Sequence, residues 1–542
     1  MTSNKFEGLL DRYFEKLLED MPIFAVTYGG LRSGEGKLGQ SDAKFLARRQ
    51  AEREKALAAL DTISPRELSN EQQLDRLAFR SELLRQSQDY ARRRHELEPN
   101  APDQLLHVLL HELMRGDDEP RRAAANLRSL LKQAPDFLEQ TGALVKSPEP
   151  VWLRVMGQTV SGGLELVDSV GKFLTKVDPN PDPVPDVNRL KRALENYRDR
   201  VKARKPAPAG SFAVGPEVLQ ERIRDELGLD YTLGQVEALA LGEAKRINEM
   251  LSKAAARFRG NSPSSSSSFV DQIIAKARTE WKPAKPLVEI YREETAKVAR
   301  GFKAARAMTF PVGDELEVKP VPEFLRGVIP TAAYTQPGAF EKRQRGVFWV
   351  NDLSEIKKTP SEKLAEQQQH FGLPLTCAHE AYPGHHLQFV TANRHPRRWR
   401  RLFAHAIFYE GWTLWCEQMM VDLKIDRSPW LIVQQLHDAL WRCHRILVDL
   451  RLQTRRYSYE QAVKHMQKHL GFTQARAQAD VNWYTASPGV PMSYWLGRLE
   501  NERLRQRLMV GRGWSLQKFN DWLLSFGTIP QAWIEKYGLD VA

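Results

Sequence analysis

Apolar residues recur at helical spacing through most of this chain of 542 residues, and that period restricts it to a mainly α-helical fold. Phe6 to Leu18 repeats them at helical intervals, and Ser69 to Leu110 continues in long amphipathic stretches. Pro179, Pro181, Pro183 and Pro185 predict an extended loop, because successive X-Pro pairs exclude helix. Lys205-Pro206-Ala207-Pro208-Ala209-Gly210 predicts another. It separates a helical part, 1–205, from a remainder, 206–542, that holds the chemistry, although both parts are compatible with one two-lobed fold. Ser262 to Ser268 reads as a low-complexity loop. Gly346 to Asn351, rich in β-branched and aromatic residues, is the best strand. Thr359-Pro360-Ser361-Glu362 opens a helix, with Thr359 as N-cap, Pro360 in the first position and Glu362 completing a capping box.

Composition narrows the function classes. A chain of this length buries a large core and has room for two to four domains. No run approaches 18 apolar residues, and Met1 to Phe6 lacks the apolar core of a signal peptide, so a cytoplasmic location and no membrane partner are expected. Cys377, Cys416 and Cys443 form no disulfide framework and read as small buried residues. The net charge of +12 comes from 80 basic against 68 acidic residues, with clusters at Arg92-Arg93-Arg94 and Arg397 to Arg401. No nucleic-acid-binding module accompanies them, so they read as solvated faces and nucleic acid is not an expected partner. A glycine-rich phosphate loop is also missing, which argues against nucleotide cofactors.

The densest chemistry lies in His379-Glu380-Ala381-Tyr382-Pro383-Gly384-His385-His386. Imidazoles are common zinc ligands, and a carboxylate beside a ligand can deprotonate bound water. The arrangement is similar to H-E-x-x-H, except that Pro383 holds the fifth position and the second histidine is displaced to His385. On a straight helix His379 and His385 would point about 120° apart, and His386 would lie roughly 10 Å along the axis from His379. Pro383-Gly384 predicts a broken or bulged helix, which can return His385 toward His379. His385 is therefore the preferred second ligand and His386 the alternative. The competing reading is a kinked helix with three satisfied polar histidines.

Residues 402–421 are very apolar, and their only acids are Glu410 and Glu417. Glu410, Thr413, Leu414 and Glu417 share one helical face. A carboxylate among Phe408, Trp412, Leu414 and Trp415 is costly to bury unless a cation or donor meets it. The 25 residues from His385 to Glu410 leave room for the rest of a helix, a turn and an antiparallel helix. Glu410 is the expected third ligand. Its other reading is a capping or salt-bridged glutamate, paired with an arginine at 397–401.

These segments resemble a largely bacterial family catalogued as domain of unknown function 885. His379 to Gln388 resembles one of its signatures, and Glu410-Gly411-Trp412 with Glu417 a second. Phe212 to Gly215, Tyr334 to Asn351, and Ser487-Pro488-Gly489 leading to Tyr494 and Gly497 extend the resemblance over nearly the whole chain. The family is similar to the gluzincin metallopeptidases. That implies a mainly α, gluzincin-like fold with a small β-sheet beside the cleft, a Zn²⁺ cofactor, and Glu380 as general base. It also implies Tyr494 as oxyanion donor, with Arg498 supporting it or binding a substrate carboxylate, and Glu417 in a supporting or substrate-binding place. Tyr484 and His386 stand in reserve. Two departures stand out. Asp449-Leu450-Arg451-Leu452-Gln453 replaces a common Asp-x-Gly-x-His, and Ala339-Phe340-Glu341-Lys342 replaces a common Asp-Gly pair. The expected activity is a zinc metallopeptidase acting on a peptide or small amide. The alternatives are a metal-dependent amidase and a catalytically silent, peptidase-like binding protein.

Overall fold

The computed structural model describes residues 2–258, 267–322, 329, 331–352 and 359–539. It is mainly helical, with one small three-stranded sheet. Two compact units divide the chain, one of Met1–Phe212 with Gly338–Glu341 and one of Ala213–Pro337 with Lys342–Ala542. Among the described residues no helix is long and apolar enough to cross a membrane.

The first unit is built from long helices, including Thr2–Asp20, Ala43–Asp61, Asn70–Ala91, Pro120–Leu144, Pro150–Val177 and Val184–Lys202. Their starts are dictated locally. Asp42 accepts from the Phe45 amide, Ser69 and Gln72 close a capping box, and the buried Glu149 carboxylate accepts from Val151 and Trp152. The proline run differs from expectation at its end, since Pro185 enters the first turn of Val184–Lys202, where a missing N–H costs nothing. The Ala339–Glu341 stretch returns to this unit. Ala339 and Phe340 donate to the carbonyls of Tyr28 and Gly29, and Glu341 pairs with Arg115 at 2.7 Å.

In the second unit, helix α1 (Leu287–Ala304) precedes strands β1 (Asp314–Pro320), β2 (Ala332–Thr335) and β3 (Gln344–Val350). The order is β1-β3-β2, with β1 parallel and β2 antiparallel to the central, almost wholly buried β3. Pro360–Gln367 is a helix opened by the Thr359 capping box. Of the serine-rich loop expected at Ser262 to Ser268, residues 262–266 lie outside the described residues, whereas Ser267–Glu280 is helical.

The site is carried by α2 (Leu373–Glu380), α3 (His385–Ala392), α4 (Ala406–Asp422), α5 (Pro429–Gln453), α6 (Gln474–Ala486) and α7 (Val490–Arg505). Helices α4 and α7 meet almost backbone to backbone. A Cβ on Gly497 would lie 2.0 Å from the Ile407 carbonyl oxygen, and one on Gly411 2.5 Å from the Gly497 backbone. Only glycine permits that approach. Helix α5 is buried over most of its 25 residues, yet it carries His437, Arg442, His444, Arg445, Asp449 and Gln453 into the interior.

Candidate metal centre

The Pro-Gly pair breaks the helix. α2 stops at Glu380, Ala381 leaves helical geometry (φ −103°, ψ −101°), and α3 starts at His385. Gly384 sits so close over the end of α2 that a Cβ there would fall 1.8 Å from the His379 carbonyl oxygen. Trp412 of α4 fastens the break by donating its indole N–H to the Pro383 carbonyl at 2.8 Å. The reversal turns His385 back beside His379, with ring centres 4.9 Å apart.

Glu410 enters from α4. Its Oε2 lies 3.6 Å from His379 Nε2 and 3.7 Å from His385 Nε2. Ligand atoms from all three residues lie within 4.8 Å of one another, and the three side chains are buried. Glu410 Oε2 is sealed from solvent and makes no hydrogen bond among the described residues. On its other side, His379 Nδ1 meets Glu417 Oε1 at 2.8 Å, and Arg442 donates to the same oxygen at 3.3 Å. With Nδ1–H given to Glu417, Nε2 is the ring nitrogen left to face Glu410, where a cation would take the place of its proton.

The electrostatics of this cluster are unbalanced. Burial pushes His385 down to about 4. Burial also disfavours a charged His379, yet its bonds to Glu410 and Glu417 lift it to about 10. Glu410 is penalised by burial but held below the usual carboxylate range by His379 and His385. Glu380 is pushed up to about 7, mainly by burial and further by the charges of Glu410 and Glu417. Three carboxylates thus converge where one imidazole proton and Arg442 supply the positive charge.

The other expected residues divide. Tyr494 comes beside Glu410: burial first, and then the Glu410 charge, holds its hydroxyl above the usual tyrosine range. His386 is fully buried but turned elsewhere, with Nδ1 2.9 Å from the Tyr334 hydroxyl and Nε2 3.1 Å from Asp314 Oδ2. Tyr484 donates to Asp480 at 3.1 Å and accepts from Arg445 at 3.0 Å. Arg498 is not brought to the ligands; it reaches Gln418 at 3.4 Å and stacks on Trp495. The departures at 449–453 serve local structure. Asp449 accepts from the Gly489 amide ahead of α7, and Gln453 accepts from the Val214 amide while donating to the Tyr484 carbonyl.

Four neighbours escaped the sequence reading: Asp314, Tyr334, Arg442 and Arg445. The arginines gave a signal, since cations on the apolar helix α5 need buried partners. Asp314 gave none and Tyr334 only as the start of the Tyr334 to Asn351 segment, because strand pairing brings both to His386. The arginine clusters are largely absorbed internally: Arg93 pairs with Glu96, Arg94 with Glu98, and buried Arg400 donates to the Phe526 carbonyl.

Residues 22–537 match the sequence profile described as bacterial protein of unknown function (DUF885). No curated protein is similar enough to count as a match. Among solved structures, a candidate lipoprotein of unknown function from Shewanella oneidensis superposes with a TM-score of 0.78 at 17% identity, over 98% of this chain and 99% of that one. A candidate lipoprotein from Colwellia psychrerythraea gives a TM-score of 0.71 at 18% identity, with both chains fully covered. At these identities the likeness concerns the fold alone.

Proposed function

The chain belongs to the bacterial family of unknown function 885, and from that premise we propose that it is a zinc-dependent hydrolase of gluzincin type, cleaving peptide bonds. The observation that carries the reading is the bare, buried Glu410 Oε2 facing His379 Nε2 and His385 Nε2. An unpaired carboxylate oxygen sealed in the interior is costly, and a cation shared with two imidazoles removes that cost. Two nitrogens and one oxygen form a donor set that suits Zn²⁺. Bound there, Zn²⁺ would supply Lewis acidity toward a carbonyl and toward water.

The remaining chemistry belongs to the chain. Glu380 follows a ligand directly and feels the charges of His379 and Glu410, which suits it to serve the donor set without joining it. Held near neutrality by burial, it takes a proton from water as the water oxygen adds to the scissile carbonyl carbon. It then returns that proton to the leaving nitrogen as the C–N bond breaks. Glu417, backed by Arg442, orients His379. Tyr494, beside Glu410, would donate its hydroxyl to the oxyanion that forms as water adds.

Metal analysis of purified protein, followed by a peptide-library digest read by mass spectrometry, tests the reading. One zinc per chain and cleavage that stops on chelation are expected. Glu380→Gln should keep metal and fold but lose hydrolysis by at least about a hundredfold. A Glu380→Gln protein as fast as wild type would end the mechanism. Cleavage confined to a panel of non-peptide amides would reassign the substrate.

A further inference from the structure

Arg445 of α5 is buried, 6% exposed, and has no carboxylate partner among the described residues. Its guanidinium carbon lies 4.0 Å from the ring centre of Trp441, 4.6 Å from that of Tyr494 and 5.3 Å from that of Trp483. Nε donates to the Tyr484 hydroxyl, while the two Nη groups bond no described residue and are not sealed from solvent. Other arginines of the same helix are matched: Arg442 meets Glu417 at 3.3 Å, and Arg451 meets Glu237 at 2.9 Å. Asp480, the acid that Arg445 senses most, is already occupied, because its Oδ2 accepts from Trp441 Nε1 and from Tyr484.

A guanidinium held among aromatic rings, with no carboxylate in direct contact among the described residues and both Nη groups open, can take one directly. Its position narrows the choice of anion. Tyr494 has its ring against Arg445 and feels the charge of Glu410, so it stands between the guanidinium and a proposed metal ligand. An extended peptide covers ~3.3–3.6 Å per residue, so a group one or two residues beyond a carbonyl at the metal centre reaches Arg445. The planar anion found at that place on a peptide is its terminal carboxylate, which matches the guanidinium fork.

We infer that Arg445 binds the C-terminal carboxylate of a peptide substrate, which makes the enzyme one that removes one or two residues from the C-terminus. This rests on the hydrolase reading above. Water's hydroxyl ends on the acyl carbon, and its proton on the amine of the departing residue or dipeptide.

The test uses zinc-loaded full-length protein with N-acetylated tetrapeptides and their C-terminal carboxamides. Wild type should release C-terminal residues or dipeptides from the acids, with kcat/KM at least about tenfold lower on the amides. Arg445→Gln should lose about as much on the acids and no longer distinguish acid from amide. Arg445→Lys, which keeps the charge without the fork, should recover part of the preference. Equal cleavage of acid and amide by wild type, or an Arg445→Gln loss that is the same on both, would overturn the inference while leaving hydrolysis intact. If wild type cleaves neither, the hydrolase reading fails and calorimetric binding of the same peptides decides. Carboxylate-dependent binding that Arg445→Gln removes sustains the site, and binding indifferent to the carboxylate ends it.

Discussion

Two adjacent histidines of one sequence motif have separate environments. His385 Nε2 faces Glu410, whereas both nitrogens of His386 are engaged by Tyr334 and Asp314. His386→Ala is therefore expected to keep stoichiometric zinc, while His379→Ala and Glu410→Ala lose most of it, as measured by elemental analysis after desalting. Zinc lost equally from all three variants would refute this assignment. Glu417 acts through His379. Glu417→Gln should weaken zinc binding by roughly 10- to 100-fold in a chelator competition, because the ligand loses the carboxylate that fixes its orientation.

Helix geometry brings these residues within reach of one another. The α2–α3 break was legible because its cause is local: proline removes a donor and glycine tolerates the close return over His379. The α4–α7 approach was not legible. Gly411 and Gly497 are far apart in sequence, and neither marks its partner. Because a Cβ on Gly497 would sit 2.0 Å from a carbonyl oxygen, Gly497→Ala must push the two helices apart. A loss of about 2–3 kcal/mol in denaturant unfolding is expected, together with reduced activity, since Glu410 and Tyr494 lie on those helices. An alanine variant with unchanged stability and activity would show that α4 and α7 can separate freely.

At the scale of the whole molecule, buried histidines set the acid response. Burial lowers His111, His444 and His465 to about 3, and His370 and His395 to about 4. Each stays neutral in the folded chain while its unfolded counterpart takes a proton near pH 6.5, so the unfolded state binds more protons below that pH. Stability is thus present above about 6.5 and is lost as pH falls toward 4 and 3. His379, raised to about 10, His107, also raised, and Glu380, raised to about 7, run the other way and favour the folded state as pH falls, against six histidines lowered to about 3 or 4 once His385 is included. Calorimetric scans of the metal-free protein should show unfolding temperatures dropping from pH 7 to pH 5, and a flat profile would contradict these assignments. By itself the sequence determined the helices, their caps, the central strand, the broken motif and the kinds of side chain able to hold a cation. All of these depend on neighbours within about four residues, where backbone sterics and helical period act. Only the tertiary structure decided which histidine meets Glu410, that Arg498 stays with Gln418 and Trp495, and that Arg445 stacks on Tyr494 with no carboxylate in contact among the described residues. Those outcomes depend on packing between residues tens of positions apart, which no local period encodes.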